Sequence, residues 1–155
     1  MSGVVLLDLD GCLVDSTDPI QSSLSDALAA WGLEPVVDAE LRTLVGPPLA
    51  QTVPRLLIAR GRADLDPAEV IARYRELYAT RSIGQARSYP GMPAAVGVLH
   101  ATHRLGVVTS KPRQYAEPIL AALALHSRFE VVEAPDSEIH SFPTRRSSDD
   151  RKSVV

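Results

Sequence analysis

The 155-residue chain has the length of one small domain, or of one small domain carrying an insertion, and its 45% hydrophobic and 23% charged residues are globular rather than disordered values. No apolar run reaches the ~20 residues that span a bilayer, and the apolar N-terminus lacks the basic lead of a secretory signal and is interrupted by Asp8 and Asp10. Cys12, the only cysteine, allows neither an intrachain disulfide nor a cysteine cage for zinc, and the net charge of −3 gives no electrostatic reason to bind nucleic acid, so a cytoplasmic protein is expected.

The elements alternate between strand and helix. Val4-Val5-Leu6-Leu7 is a short, continuous apolar run with β-branched content, which predicts a buried parallel strand. A helix follows from Thr17, with Pro19 in its first turn, with Ile20, Leu24, Ala27, Leu28 and Trp31 on one face, and with Gly32 as its stop. Leu41, Leu44 and Val45 predict a second short helix, stopped at Gly46-Pro47-Pro48. The segment from Leu49 to Arg60 is also helical in pattern, with a bend or restart expected at Pro54. Asp66-Pro67-Ala68-Glu69 has the spacing of a helix start, and Val70, Ile71, Tyr74, Leu77 and Tyr78 form the apolar face of the helix it opens.

Tyr89-Pro90-Gly91 marks a return turn. Beyond it, Pro93 to His103 is predicted helical, Leu105 to Val108 a second buried strand, Pro112 to Leu125 a helix and Phe129 to Val132 a third strand. The order describes an α/β fold: a Rossmann-like open parallel sheet interrupted by an inserted all-helical subdomain.

From Ser141 the texture changes and neither period persists. Ser141 to Asp149 can be encoded by TCT TTC CCT ACA CGA CGC TCT TCC GAT, and Asp150 to Val155 by GAT CGG AAG AGC GTC GTG before a stop. Within their overlap the two strings are reverse complements, and both resemble a common sequencing-library adapter. Residues 141–155 are therefore expected to be a non-native tail that takes no part in the fold.

The candidate chemistry lies where the first two strands end. In Asp8-Leu9-Asp10-Gly11 two carboxylates at i and i+2 follow an apolar strand, so side-chain alternation points both to one side. The carboxyl ends of the strands form the ligand crevice of an open α/β sheet. Two adjacent carboxylates repel one another and invite a divalent cation, and oxygen-only ligation favours magnesium. Thr109-Ser110-Lys111-Pro112 lies at the corresponding end of the second strand, before a helix, and offers the hydroxyls, amides and positive helix terminus that a phosphate oxygen needs.

Together these residues resemble the haloacid dehalogenase superfamily, whose first motif reads Asp-x-Asp-Gly-Thr and whose second is an apolar strand ending in Thr or Ser. Cys12 stands where the family usually has Thr. Val45-Gly46-Pro47-Pro48-Leu49, Tyr89-Pro90-Gly91 and Val108-Thr109-Ser110-Lys111-Pro112 resemble its phosphoglycolate phosphatase-like members more closely. The resemblance implies a Mg²⁺-dependent phosphatase acting on a small phosphorylated metabolite such as 2-phosphoglycolate. Asp8 would be the nucleophile that becomes an aspartyl-phosphate, and Asp10 the general acid and base. An Asp8 oxygen and the Asp10 backbone carbonyl would hold the metal, while Thr109, Ser110 and Lys111 would bind phosphate.

By the same resemblance, residues 1–15 and 86–140 would form the core and residues 16–85 a helical cap. The family's later lysine and acidic pair have no counterpart after Val132, since Lys152 and Asp149-Asp150 fall in the suspect tail. The chain thus reads as the front part of such an enzyme, with impaired activity expected. A phosphomutase of the same superfamily and a non-catalytic binding fragment are the alternatives. His100 and His103 are read as surface residues, and Cys12, Trp31 and Tyr74 as packing.

Overall fold

A computed structural model describes residues 3–136. The expected tail at 141–155 lies outside the described residues. Within them, β1 (Val4–Leu7), β4 (Arg104–Val108) and β5 (Val131–Glu133) form a parallel sheet in the order β1-β4-β5. Val4 to Leu7 pair with Arg104 to Val107, and Gly106 to Val108 pair with Val131 to Glu133. Helix α5 (Met92–His100) leads into β4, and α6 (Arg113–Ala122) leads out of it. These βα units with a parallel sheet are the expected α/β architecture.

Between the sheet strands, residues 14–88 make an excursion. It leaves through β2 (Val14–Asp15), forms α1 (Thr17–Ala29), α2 (Asp38–Leu44), α3 (Leu49–Ala59) and α4 (Pro67–Gln85), and returns through β3 (Arg87–Ser88). Strands β2 and β3 pair antiparallel, Val14 with Ser88 and Asp15 with Arg87, so the outgoing and returning chain are zipped together. This ribbon is too short for periodicity to reveal, and sequence reading missed it. The helical core runs from Leu24, Ala27 and Leu28 of α1 through Val53 and Leu57 of α3 to Val70 and Tyr78 of α4, all essentially out of water. The helix from Thr17 therefore buries the predicted face, with Ile20 and Trp31 only partly covered at its ends.

The start of α4 is set locally. The Asp66 side chain accepts from Ala68 N at 2.9 Å, and Pro67, whose missing N–H costs nothing there, occupies the first turn. Asp66→Ala is expected to cost about 0.5–2 kcal/mol of stability, read as a lower urea midpoint. An unchanged midpoint would mean that packing alone fixes this helix start.

The structure corrects several boundaries. Pro54 neither breaks nor restarts α3, which is continuous from Leu49 to Ala59; the structure gives no physical reason for this tolerance beyond the burial of Val53, Leu56 and Leu57 on its inner face. The helix expected from Pro112 to Leu125 stops at Ala122, and a 3₁₀ turn follows at His126–Arg128. The third strand begins at Val131 rather than Phe129, because Phe129 is buried at the end of that turn.

The first strand is not buried on both sides, as its continuous apolar run predicts. Val4 is 63% and Leu6 59% exposed, and Val131, on the same face, is 49% exposed. The opposite face carries Leu105 and Val107 in the core, with Val5 and Leu7 packed against it. Gly106 separates Leu6 from Val131 on the open face: a Cβ there would sit 2.9 Å from a methyl of each. Gly106→Val is expected to lose about 1–3 kcal/mol, since a stiff β-branched side chain must displace both neighbours. Equilibrium unfolding at or above the parental midpoint would show that Leu6 and Val131 yield freely.

Candidate active site

The first strand ends at Leu7, and Asp8 to Leu13 form a tight turn closed by Leu13 N and Val14 N, both donating to Leu9 O, at 3.0 and 2.9 Å. Gly11 adopts φ +76°, a left-handed conformation that costs glycine little, so the chain reverses directly after Asp10. Leu9 is fully buried and anchors the turn, while Asp8 and Asp10 on either side of it face the same cleft. The expected common orientation therefore arises in a turn just past the strand rather than in the strand itself. Asp8 Oδ1 accepts from Leu9 N at 2.6 Å, which fixes the carboxylate against its own backbone.

Asp10 is held from two sides. Ser16 Oγ donates to its Oδ1 at 2.5 Å, and Lys111 Nζ lies 3.1 Å from its Oδ2. Ser16 occupies the N-cap position of α1 yet makes no side-chain cap bond; its hydroxyl is turned to Asp10 instead. Asp15 takes up part of the capping role through Thr17 N at 3.0 Å, and the bonds from Thr17 hold the Asp15 carboxyl below its ordinary range.

Lys111 connects the two halves of the site. It is only 8% exposed, and its ammonium donates to the hydroxyl of Tyr78 on α4, lies 4.8 Å from the centre of the Tyr78 ring and pairs with Asp10. Burial works against the Lys111 charge, but Asp10 and Tyr78 outweigh it and raise the lysine above its ordinary value. Burial also pushes the Tyr78 phenol up, with Lys111 pulling it back. Tyr78 stacks on Tyr74 at 5.3 Å and meets Tyr115 of α6 edge-on at 5.1 Å, so an aromatic cluster supports the ammonium from behind.

The phosphate-site candidates divide. Ser110 and Lys111 line the cleft with Asp8 and Asp10. Thr109 does not: it is 3% exposed, its amide donates to Glu133 O at 3.0 Å, and its hydroxyl accepts from Lys111 N at 3.2 Å. The structure therefore places Thr109 as a brace beneath the loop. Tyr78 and Ser16, which touch Lys111 and Asp10, were missed by sequence reading. Tyr78 was recognisable only as part of an apolar helix face, and Ser16 only as a helix start.

The cleft has a volume of about 500 Å³. Its lining includes the turn between α2 and α3, where Gly46 (φ +107°) precedes Pro47 and Pro48. At the other end of the two helices Arg60 forks across both Glu40 oxygens, at 3.1 and 2.9 Å, which ties the end of α3 to the start of α2. A neighbouring cleft shares Asp10 and Val45 and contains Ser16, Thr17, Arg42 and Tyr89.

As donors for a metal, Asp8 and Asp10 offer only oxygen, the chemistry that a small hard cation selects. The described residues contain no cluster of three or more His, Cys, Asp or Glu able to enclose an ion. His100 and His103 do not converge: His103 Nδ1 is 2.8 Å from Thr102 Oγ1 on the surface. A Mg²⁺ here would take one or two protein oxygens, with waters and substrate oxygens completing its shell, and the residues present fit that mode.

Two strand-end loops converging under a helical excursion define the class of protein, and comparison with known proteins agrees: residues 5–146 match the haloacid dehalogenase-like hydrolase family, and the chain belongs to it. It is 32% identical to a phosphoglycolate phosphatase of Agrobacterium fabrum, over 94% of this chain and 64% of that protein. With a phosphoglycolate phosphatase of Rhodospirillum rubrum the identity is 35%, over 81% of this chain and 55% of the relative. A solved haloacid dehalogenase-like hydrolase from Streptococcus pneumoniae superposes with a TM-score of 0.72 at 26% identity, covering 86% of this chain and 61% of that one. The chain thus spans less than two thirds of the length of these relatives. No helix among the described residues is long and apolar enough to cross a membrane.

Proposed function

We propose that the protein is a phosphomonoester hydrolase working through an aspartyl-phosphate on Asp8, with a small phosphorylated metabolite as substrate. The observation that carries this reading is the meeting of Asp8, Asp10, Ser110 and Lys111 across one cleft. Asp8 is exposed to the cleft and braced by its own backbone, which suits a nucleophile that must attack phosphorus along one line. Asp10 then serves as acid to the departing alcohol oxygen and as base to the water that hydrolyses the acyl phosphate.

Ser110 and Lys111 hold the phosphoryl oxygens. An arriving phosphate competes with Asp10 for the Lys111 ammonium, and this releases an Asp10 oxygen for proton exchange. Bound Mg²⁺, held by an Asp8 oxygen and the Asp10 carbonyl, would screen the repulsion between nucleophile and phosphate. Residues 16–85 act as a cap that excludes water over a core formed by residues 1–15 and 86–140. The likeness to phosphoglycolate phosphatases supports a small phosphoester and makes 2-phosphoglycolate the first substrate to assay.

Mass spectrometry after quenching a reaction with a small phosphoester and Mg²⁺ tests the reading. A hydroxylamine-sensitive phosphate on the peptide containing Asp8 is expected. Turnover with no such label, or with the label on another residue, would overturn it.

A further inference from the structure

We infer that Arg42 selects the substrate by receiving a carboxylate on its alcohol half, which extends from Asp10 into the neighbouring cleft. The inference rests on the phosphatase reading above and deepens it by assigning the residue that reads the leaving group. Asp8 lines the first cleft, whereas Asp10 lines both. The Asp10 carboxylate spans the boundary: its Oδ2 pairs with Lys111 of the first cleft, and its Oδ1 accepts from Ser16 of the second. In an in-line displacement the nucleophile and the departing oxygen lie on opposite sides of phosphorus. With Asp8 attacking and Asp10 protonating the departing oxygen, the alcohol carbons begin at Asp10 and run away from Asp8, into the second cleft.

That cleft has a volume of about 480 Å³, and Arg42 lines it from the last turn of α2. A guanidinium presents a planar fork of donors that matches a carboxylate. Tyr89 adds a hydroxyl to the same lining; burial, with Asp15 and Asp10 nearby, holds its phenol above the ordinary value, so it remains a donor. The neighbouring carboxylates do not cancel the cation. Asp38, one turn earlier on α2, accepts from Gln21 Nε2 at 2.9 Å, and Asp10 carries a proton, and so no charge, when it acts as the acid. In 2-phosphoglycolate one methylene separates the ester oxygen from the carboxylate, so recognition of that carboxylate falls to the cleft that opens at Asp10.

Two phosphonates of equal chain length test this by calorimetric titration of the 155-residue chain in Mg²⁺. In 3-phosphonopropanoate a carboxylate lies where 2-phosphoglycolate has its own, and in propylphosphonate a methyl group takes that place. The acid is expected to bind about tenfold more tightly than the alkyl probe. Arg42→Gln is expected to bring the ratio of the two affinities to within about twofold of unity. Arg42→Lys, which keeps the charge but not the fork, should retain part of the preference. Arg42 is exposed, so neither substitution disturbs the core. Equal binding of the two probes to the parent chain, or a preference that survives Arg42→Gln, would overturn the inference. Both probes would then still bind through their phosphonate, and the phosphatase reading would stand. Failure of both probes to bind would overturn the phosphatase reading and this inference with it.

Discussion

Asp8→Asn is expected to lower turnover of any small phosphoester by on the order of 10⁴-fold or more, because an amide oxygen is a poor nucleophile toward phosphorus. The substitution preserves size, and Asn can keep the bond that Leu9 N now donates to Asp8 Oδ1, so the turn should fold normally. Asp10→Asn is expected to cost less, about 10²- to 10⁴-fold, since a general acid and base assists the reaction without forming its covalent bond. The two variants also differ in what accumulates. Asp8→Asn should give no acyl phosphate, whereas Asp10→Asn should form some from a substrate whose leaving group needs no proton. Steady-state rates with aryl phosphates of differing leaving-group acidity measure both effects. Near-parental activity in Asp8→Asn would remove the nucleophile from the scheme.

Lys111→Met is expected to lower kcat/KM by about 10²- to 10³-fold, the usual scale for deleting a group that stabilises developing negative charge. Its effect on folding should be much smaller. Lys111 is nearly buried, and Met is close to its shape, so the packing against the Tyr78 ring survives. Asp10 loses its cation, but its side chain is 21% exposed and keeps the Ser16 bond, so water can replace much of what is lost. A buried pair with no such access would cost about 3–5 kcal/mol to break; here thermal unfolding should shift by only a few degrees. Tyr78→Phe, which removes one acceptor and keeps the ring, is expected to cost less than tenfold in kcat/KM. Equal losses from Lys111→Met and from a distant destabilising substitution would show that Lys111 acts only through stability.

Much of this arrangement was legible in the residues because the signals are local. The apolar runs at Val4–Leu7 and Leu105–Val108 gave two of the three sheet strands, and Asp66-Pro67 gave the start of α4 to the residue. Asp8 and Asp10 stood out because two carboxylates directly after an apolar strand have few purely structural uses. What was not legible depends on contacts between distant segments. Tyr78 and Lys111 are 33 positions apart in the chain, and nothing at either position announces the other. Ser16 resembles any helix-capping serine until the fold shows its hydroxyl turned to Asp10. The openness of the Val4, Leu6 and Val131 face was hidden for a different reason: composition registers an apolar residue but not whether anything covers it.

The pairing of β2 with β3 has a consequence for how such a protein can change. Val14 faces Ser88 and Asp15 faces Arg87, so the excursion starts and finishes at one place on the sheet domain. To the parallel sheet, everything from 16 to 86 is topologically a hairpin loop. It can be shortened, exchanged or rebuilt without altering the register of β1, β4 and β5, because no sheet strand is interrupted by its presence. The two units meet through a two-residue splice and through two side chains of the excursion, Ser16 on Asp10 and Tyr78 on Lys111, so any rebuilt excursion must carry those two contacts with it.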